Sequence, residues 1–199
     1  MATAAPGVPK ESYAFRVEAS LHDADTVYAV FNNKKMGDFS PYVYVSRNRG
    51  ASWSSIAGDL PERGTAFSIR QDHVDPDLFF VGTEFSVFFT RDFERWIELG
   101  NGLPTIKVPD LELQRRENDV VIATFGRGFY VLDDYRALRT VSDELLARDD
   151  VEIVVNLTTP GAHASVALAA IEAWDSWAYS AGSSSRSLSA SARVSPAGT

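Results

Sequence analysis

The chain has 199 residues, 45% of them hydrophobic and 12% aromatic, no cysteine, and a formal net charge of −8. Without cysteine there is no disulfide framework, thiol redox chemistry or thiolate zinc site, and 27 acidic against 19 basic residues argues against a phosphate-neutralising nucleic-acid binder. No apolar run approaches the roughly 18 residues needed to span a bilayer, and the opening MATAAPGVPKESYAF lacks the charged start and apolar core of a signal peptide.

Residues 1–10 read as a disordered N-terminus. A repeat follows. Its first copy runs DTVYAVF (25–31), PYVYVSRNRGASW (41–53) and SSIAGDLP (54–61). Its second runs DLFFVGT (77–83), SVFFTRDFERW (86–96) and IELGNGLP (97–104). The third runs DVVIATF (119–125) and GFYVLDD (128–134). Leu60 and Leu103 lie 43 residues apart, Ser46 and Thr90 lie 44 apart, and Leu78 and Val120 lie 42 apart, so independent markers agree on one period. Within the second copy, Ala66–Arg70, Leu78–Gly82, Val87–Thr90 and Trp96–Leu99 are rich in Val, Ile and Phe and are separated by turn formers. The near-continuous runs FFVG and VFFT suit strands buried on both faces. Four strands in about 43 residues is the arithmetic of a β-propeller blade. The predicted fold class is therefore all-β, a propeller fragment of about three four-stranded blades at about 13–58, 64–100 and 108–134, within a unit spanning 11–140. No fourth strand is evident after Asp134.

Beyond it, 141–155 reads as a short helix and linker, with Ser142 as N-cap of a helix over Ser142–Arg148. From Gly161 to Thr199, Ala and Ser make up 21 of 39 residues. Residues 156–199 read as an Ala/Ser-rich tail, disordered or out of frame, with a second helix at Ala164–Ala173.

Ser46-Arg47-Asn48-Arg49-Gly50-Ala51-Ser52-Trp53 resembles the Asp-box, Ser/Thr-x-Asp-x-Gly-x-Thr/Ser-Trp, with Asn48 in place of the aspartate. Thr90-Arg91-Asp92-Phe93-Glu94-Arg95-Trp96 looks like a second copy, one residue short and without the glycine. With VGTEF (81–85) and TFGRGFYVLDD (124–134), these segments resemble the closing blades of bacterial sortilin-like, Asp-box (BNR-repeat) propeller proteins labelled glycosyl hydrolases. The chemistry of such a turn is structural. Asn48 or Asp92 accepts turn N–H groups, Gly50 supplies a positive φ, Ser46 or Thr90 adds a local bond, and Trp53 or Trp96 buries its ring.

The resemblance implies a scaffold that binds a peptide or carbohydrate, set outside the cytoplasm (periplasmic or secreted) in the full-length protein. Its alternative is a glycoside hydrolase whose catalytic residues lie partly in further blades. It implies a natural domain that begins upstream, so that this stretch alone self-associates or needs those blades. It also implies that ligands sit on the end carrying the second-to-third-strand loops, Asn32–Phe39, Thr83–Phe85 and Thr124–Gly128. There Glu84, Phe85 and Arg127 are the candidate ligand-binding residues, and Glu84 is a weak catalytic candidate. A hydrolase needs two carboxyl groups about 5–9.5 Å apart, and Asp38, Asp133 or Asp134 would have to supply the second. His22 and His73 fall in corresponding turns, and the aspartates Asp23, Asp25, Asp72, Asp75 and Asp77 read as turn formers; neither set has metal-ligand spacing, and no cofactor fingerprint occurs.

Overall fold

A computed structural model of the chain describes residues 5–100 and 102–141. They form three successive antiparallel meanders, the blades of a propeller-type fold. The first sheet is β1 (Tyr13–Ala19), β2 (Val27–Asn33), β3 (Asp38–Ser46) and β4 (Ser54–Ser55). The second is β5 (Ala66–Gln71), β6 (Phe79–Thr83), β7 (Val87–Thr90) and β8 (Ile97–Glu98). The third is β9 (Asp110–Gln114), β10 (Asp119–Ala123) and β11 (Phe129–Leu132). Each sheet keeps chain order. Equivalent registers mark the repeat: Val27 pairs with Ser46 as Phe79 pairs with Thr90.

The third sheet has three strands among the described residues. After β11 the chain enters a 3-10 helix, Tyr135–Thr140. Asp134 starts it, at φ 48°, by accepting the Arg136 N–H on its side chain. The fourth strand of the second sheet is short because the Trp96 N–H goes to the Asp59 carboxylate at 2.6 Å instead of to a neighbouring strand. The helices expected at Ser142–Arg148 and Ala164–Ala173, the 141–155 linker past Val141 and the Ala/Ser-rich tail lie outside the described residues.

Burial follows position in the stack. β5, β6 and β7 are buried at every residue, because the second sheet is covered on both faces. One core joins it to the first sheet through Tyr28, Val43, Ile69, Phe79, Phe88 and Trp96. Another joins it to the third through Phe80, Phe89, Leu111, Val120, Ile122 and Tyr135. β9 and β10, packed on one side, alternate buried and open residues.

The outer face of the first sheet carries Ala29, Phe31, Tyr44 and Trp53, and Ala5 and Val8 are buried against it. The Tyr44 hydroxyl donates to the Pro6 carbonyl at 2.6 Å. Residues 5–8 therefore differ from the disorder expected of the N-terminus. An uncovered Phe–Trp face is costly in water, and this short apolar stretch takes it up.

Interstrand contacts define two ends. At the loop end, Thr65 Oγ1 donates to the Phe39 carbonyl at 3.1 Å, and Glu84 N donates to the Thr65 carbonyl, Ile106 N to Phe85 and Phe125 N to Lys107, each at 2.9 Å. The β2–β3, β6–β7 and β10–β11 connections thus lie together. At the opposite, turn end lie the β1–β2, β5–β6 and β9–β10 turns and the hairpins that resemble Asp-boxes. Val108 crosses Gly82 where it bonds Thr83, and a Cβ on Gly82 would come within 2.7 Å of the Val108 carbonyl and 2.6 Å of Ser68 Oγ.

Candidate functional site

The two hairpins at the turn end are closed by side chains. Ser46 Oγ accepts from Gly50 N at 2.8 Å and donates to Asn48 Oδ1 at 2.9 Å. Asn48 Oδ1 accepts from Ser52 N, and its Nδ2 donates to Ser52 Oγ, both at 2.8 Å. The amide thus uses both its acceptor and its donor. Arg49 and Gly50 take positive φ, 57° and 88°. In the second hairpin, Thr90 Oγ1 donates to Asp92 Oδ1 at 3.2 Å and accepts from Phe93 N at 3.1 Å, while Asp92 accepts from Glu94 N and Arg95 N at 2.8 and 2.9 Å. Without a glycine, Phe93 carries the positive φ. Burial works against the Asp92 charge, but the Arg95 and Glu94 N–H groups outweigh it and lower the carboxyl pKa. Trp96 is buried between the first two sheets and donates Nε1 to the Ile56 carbonyl at 3.1 Å. Trp53 packs edge-on to Phe31 on the outer face.

A denser polar cluster at the turn end was not legible as one. Asp72 is fully buried. It accepts from Arg139 Nε and Nη2 at 2.6 and 3.0 Å, from the Tyr135 hydroxyl at 2.6 Å and from Asp75 N at 2.9 Å. Burial raises its pKa, but these donors prevail and lower it to about 2. Tyr135 and Arg139 sit more than 60 residues away, so only the equivalence of the turns could have hinted at the position. In the repeat Asp72 corresponds to Ser20, since their N–H groups close the equivalent turns on Leu78 and Thr26, and Ser20 Oγ accepts from His22 N and Asp23 N at 3.2 Å. His22 and His73 share corresponding turns but occupy different steps of them. His22 Nε2 lies 2.8 Å from the Asp72 carbonyl and so bridges the first and second sheets, and His73 Nδ1 lies 3.3 Å from the Tyr135 hydroxyl and so bridges the second sheet and the helix after the third.

At the loop end, Glu84 and Phe85 meet in an open cleft of about 380 Å³ lined by Phe39, Arg63, Thr65, Glu84 and Phe85. Glu84 forms an ion pair with Lys34 of the β2–β3 connection. Asp38, the first residue of β3, accepts from the Tyr42 hydroxyl at 2.7 Å and from Ser40 N at 3.1 Å. The Tyr42 bond, which outweighs a burial penalty, lowers its pKa. Asp133 and Asp134 follow β11 at the turn end, so the strand itself separates them from Glu84; the pairing entertained for them is ruled out by strand direction. Arg127 is exposed in the β10–β11 loop and is not brought into the cleft. Sequence reasoning missed Lys34, Arg63 and Lys107. Lys107 Nζ stands 4.3 Å from the Phe67 ring centroid and 5.8 Å from that of Phe125, and Lys34 Nζ stands 5.3 Å from the same Phe67 ring.

No protein-family model matches the chain, and no curated protein matches it. Sixteen chains of solved structures do. Among them is a GH74 xyloglucanase from Xanthomonas campestris, 11% identical, matched over 62% of this chain and 21% of that one with a TM-score of 0.46. An ancestral GH74 enzyme is 15% identical, matched over 59% of this chain and 18% of that one with a TM-score of 0.45. This chain spans about a fifth of the length of those enzymes. At these identities no residue role passes from them to this chain.

Proposed function

We propose that the loop end is a carbohydrate-binding face and that this stretch of the molecule binds rather than cleaves. The observation that supports this is the distribution of exposed aromatic rings. Each of the three hairpins presents at least one at the loop end: Phe39 (37% exposed) at the start of β3, Phe85 (49%) between β6 and β7, and Phe125 and Phe129 (73% and 74%) between β10 and β11 and at the start of β11. Large apolar rings held open on one face mark an interaction site, and sugar rings offer flat C–H faces that stack on them.

Two further features support binding over hydrolysis here. Glu84 is engaged with Lys34. Among the described residues, each other carboxylate named as its partner is either bonded within its own strand, as Asp38 is to Tyr42 and Ser40, or at the turn end. An extracytoplasmic setting, where polysaccharides are met, goes with this proposal, and fractionation of the source cells checks it. The direct test is titration of the chain with neutral and acidic plant and bacterial oligosaccharides, followed by intrinsic fluorescence. Phe85→Ala and Phe125→Ala should each weaken binding about three- to tenfold, with the thermal melt unchanged. A screen with aryl glycosides, with Glu84→Gln as control, should show no turnover. Glu84-dependent turnover would overturn the binding reading in favour of a hydrolase.

A further inference from the structure

The loop end differs in charge from the rest of the molecule. The chain is acidic overall, and at the turn end four arginines are matched by carboxylates, Arg49 with Asp25, Arg91 with Asp75, Arg136 with Asp134 and Arg139 with Asp72, while Arg47, Arg95 and Arg115 stand among the many carboxylates of those turns without an ion pair among the described residues. At the loop end only Lys34 has such a partner, Glu84. Lys35, Arg63, Lys107 and Arg127 form no ion pair among the described residues. Arg63 lies 5.8 Å from the Phe39 ring centroid, beside the cleft.

Lys107 is the most constrained of these cations. It is half-buried, and its ammonium is held over Phe67 and towards Phe125 by ring quadrupoles. Those contacts use none of its three N–H donors, which stay open to an acceptor, and an anionic acceptor makes the strongest bonds to an ammonium. Its backbone is anchored too, since its carbonyl accepts the Phe125 N–H. A cation positioned in this way beside an exposed ring suits a ligand that carries a carboxylate on a sugar ring: the ring stacks on Phe125 and the carboxylate meets Lys107.

We infer that the glycan held at the loop end is acidic, a uronate-type oligosaccharide whose ring carboxylate is bound by Lys107 with Arg63 and Arg127 as flanking cations. The inference rests on the carbohydrate-binding reading above and narrows it to a ligand class.

The test uses the full chain and three probes by titration calorimetry: a linear galacturonate oligosaccharide, a neutral cello-oligosaccharide of equal length, and an oligoglutamate peptide. The galacturonate should bind about tenfold more tightly than the neutral sugar at low salt, and the preference should shrink as salt is raised. Lys107→Gln should abolish the preference, and Lys107→Arg should keep it. Melting curves confirm that both variants are folded. Equal binding of acidic and neutral sugars, or a preference untouched by Lys107→Gln, overturns the acidic-glycan inference and leaves the carbohydrate face standing. Oligoglutamate binding as tight as galacturonate overturns the sugar class. Failure of every sugar to bind overturns the carbohydrate-binding reading itself.

Discussion

Asp72 shows how much one buried carboxylate can organise. It holds Arg139 and Tyr135, and so joins the 3-10 helix after the third sheet to the first turn of the second. Its pKa is lowered to about 2, well below the ordinary range of an aspartate. A depressed carboxyl pKa stabilises the fold fully above the unfolded value, and that stabilisation is lost as pH falls through the folded one. The contribution is roughly 2 kcal/mol at neutral pH and fades between about pH 4 and pH 2. Asp72→Asn should therefore lower the melting temperature by roughly 5 °C or more at pH 7, and the gap from the natural protein should close towards pH 2. A gap independent of pH would contradict this origin. Gly82 is the second telling residue. Because a Cβ there would meet Ser68 and the Val108 carbonyl, Gly82→Ala should cost about 1–3 kcal/mol in denaturant unfolding. Neither role was legible beforehand. Asp72 reads as one turn aspartate among five, and Gly82 as an ordinary glycine in a strand.

The strands themselves were largely legible, because Val, Ile and Phe runs between turn formers suit few other conformations. The edges moved where a side chain intervened: Asp59 takes the Trp96 N–H and shortens β8. The hairpins repeat one solution with different residues. Asn48 uses both an acceptor and a donor, whereas Asp92 uses acceptors alone. Removing Asn48 Oδ1 strands the Ser52 N–H and the Ser46 hydroxyl, so Asn48→Ala should cost about 1 kcal/mol, and Asn48→Asp, which keeps the acceptor, should cost less. Trp96 is a larger element-scale anchor, lying between two sheets with its N–H satisfied. Trp96→Ala should cost about 3–5 kcal/mol, measurable as a shift in urea midpoint. A loss below about 1 kcal/mol would show that the inter-sheet core closes without it.

Across the whole described unit, the first strand of each sheet contributes to one charge cluster. Arg70 of β5 meets Glu18 of β1 at 3.1 Å and Asp110 and Glu112 of β9 at 3.3 Å, while Arg16 of β1 also pairs with Asp110. Desolvation raises the Glu18 pKa despite these arginines. Arg70→Ala would leave three carboxylates with one cation and should destabilise by about 2 kcal/mol at pH 7, and less in acid, where Glu18, its pKa raised by burial, protonates first. A second whole-molecule expectation concerns association. The outer edge of β11 has no partner strand among the described residues, and its neighbourhood exposes Phe129 and Val131. Open apolar edges pair with other chains, so sedimentation should show association that grows with concentration, and Val131→Lys should reduce it; a strict monomer at high concentration would contradict this. The amino-acid order alone determined the repeat, the strands and the positions of the hairpins, because these depend on side-chain type and turn chemistry within a few residues. Only the tertiary structure decided which charges meet. It set Glu84 against Lys34, Asp72 against Arg139 and Lys107 over Phe67, because such contacts depend on how sheets stack across 40 to 70 residues of chain, a distance over which local sequence carries no register.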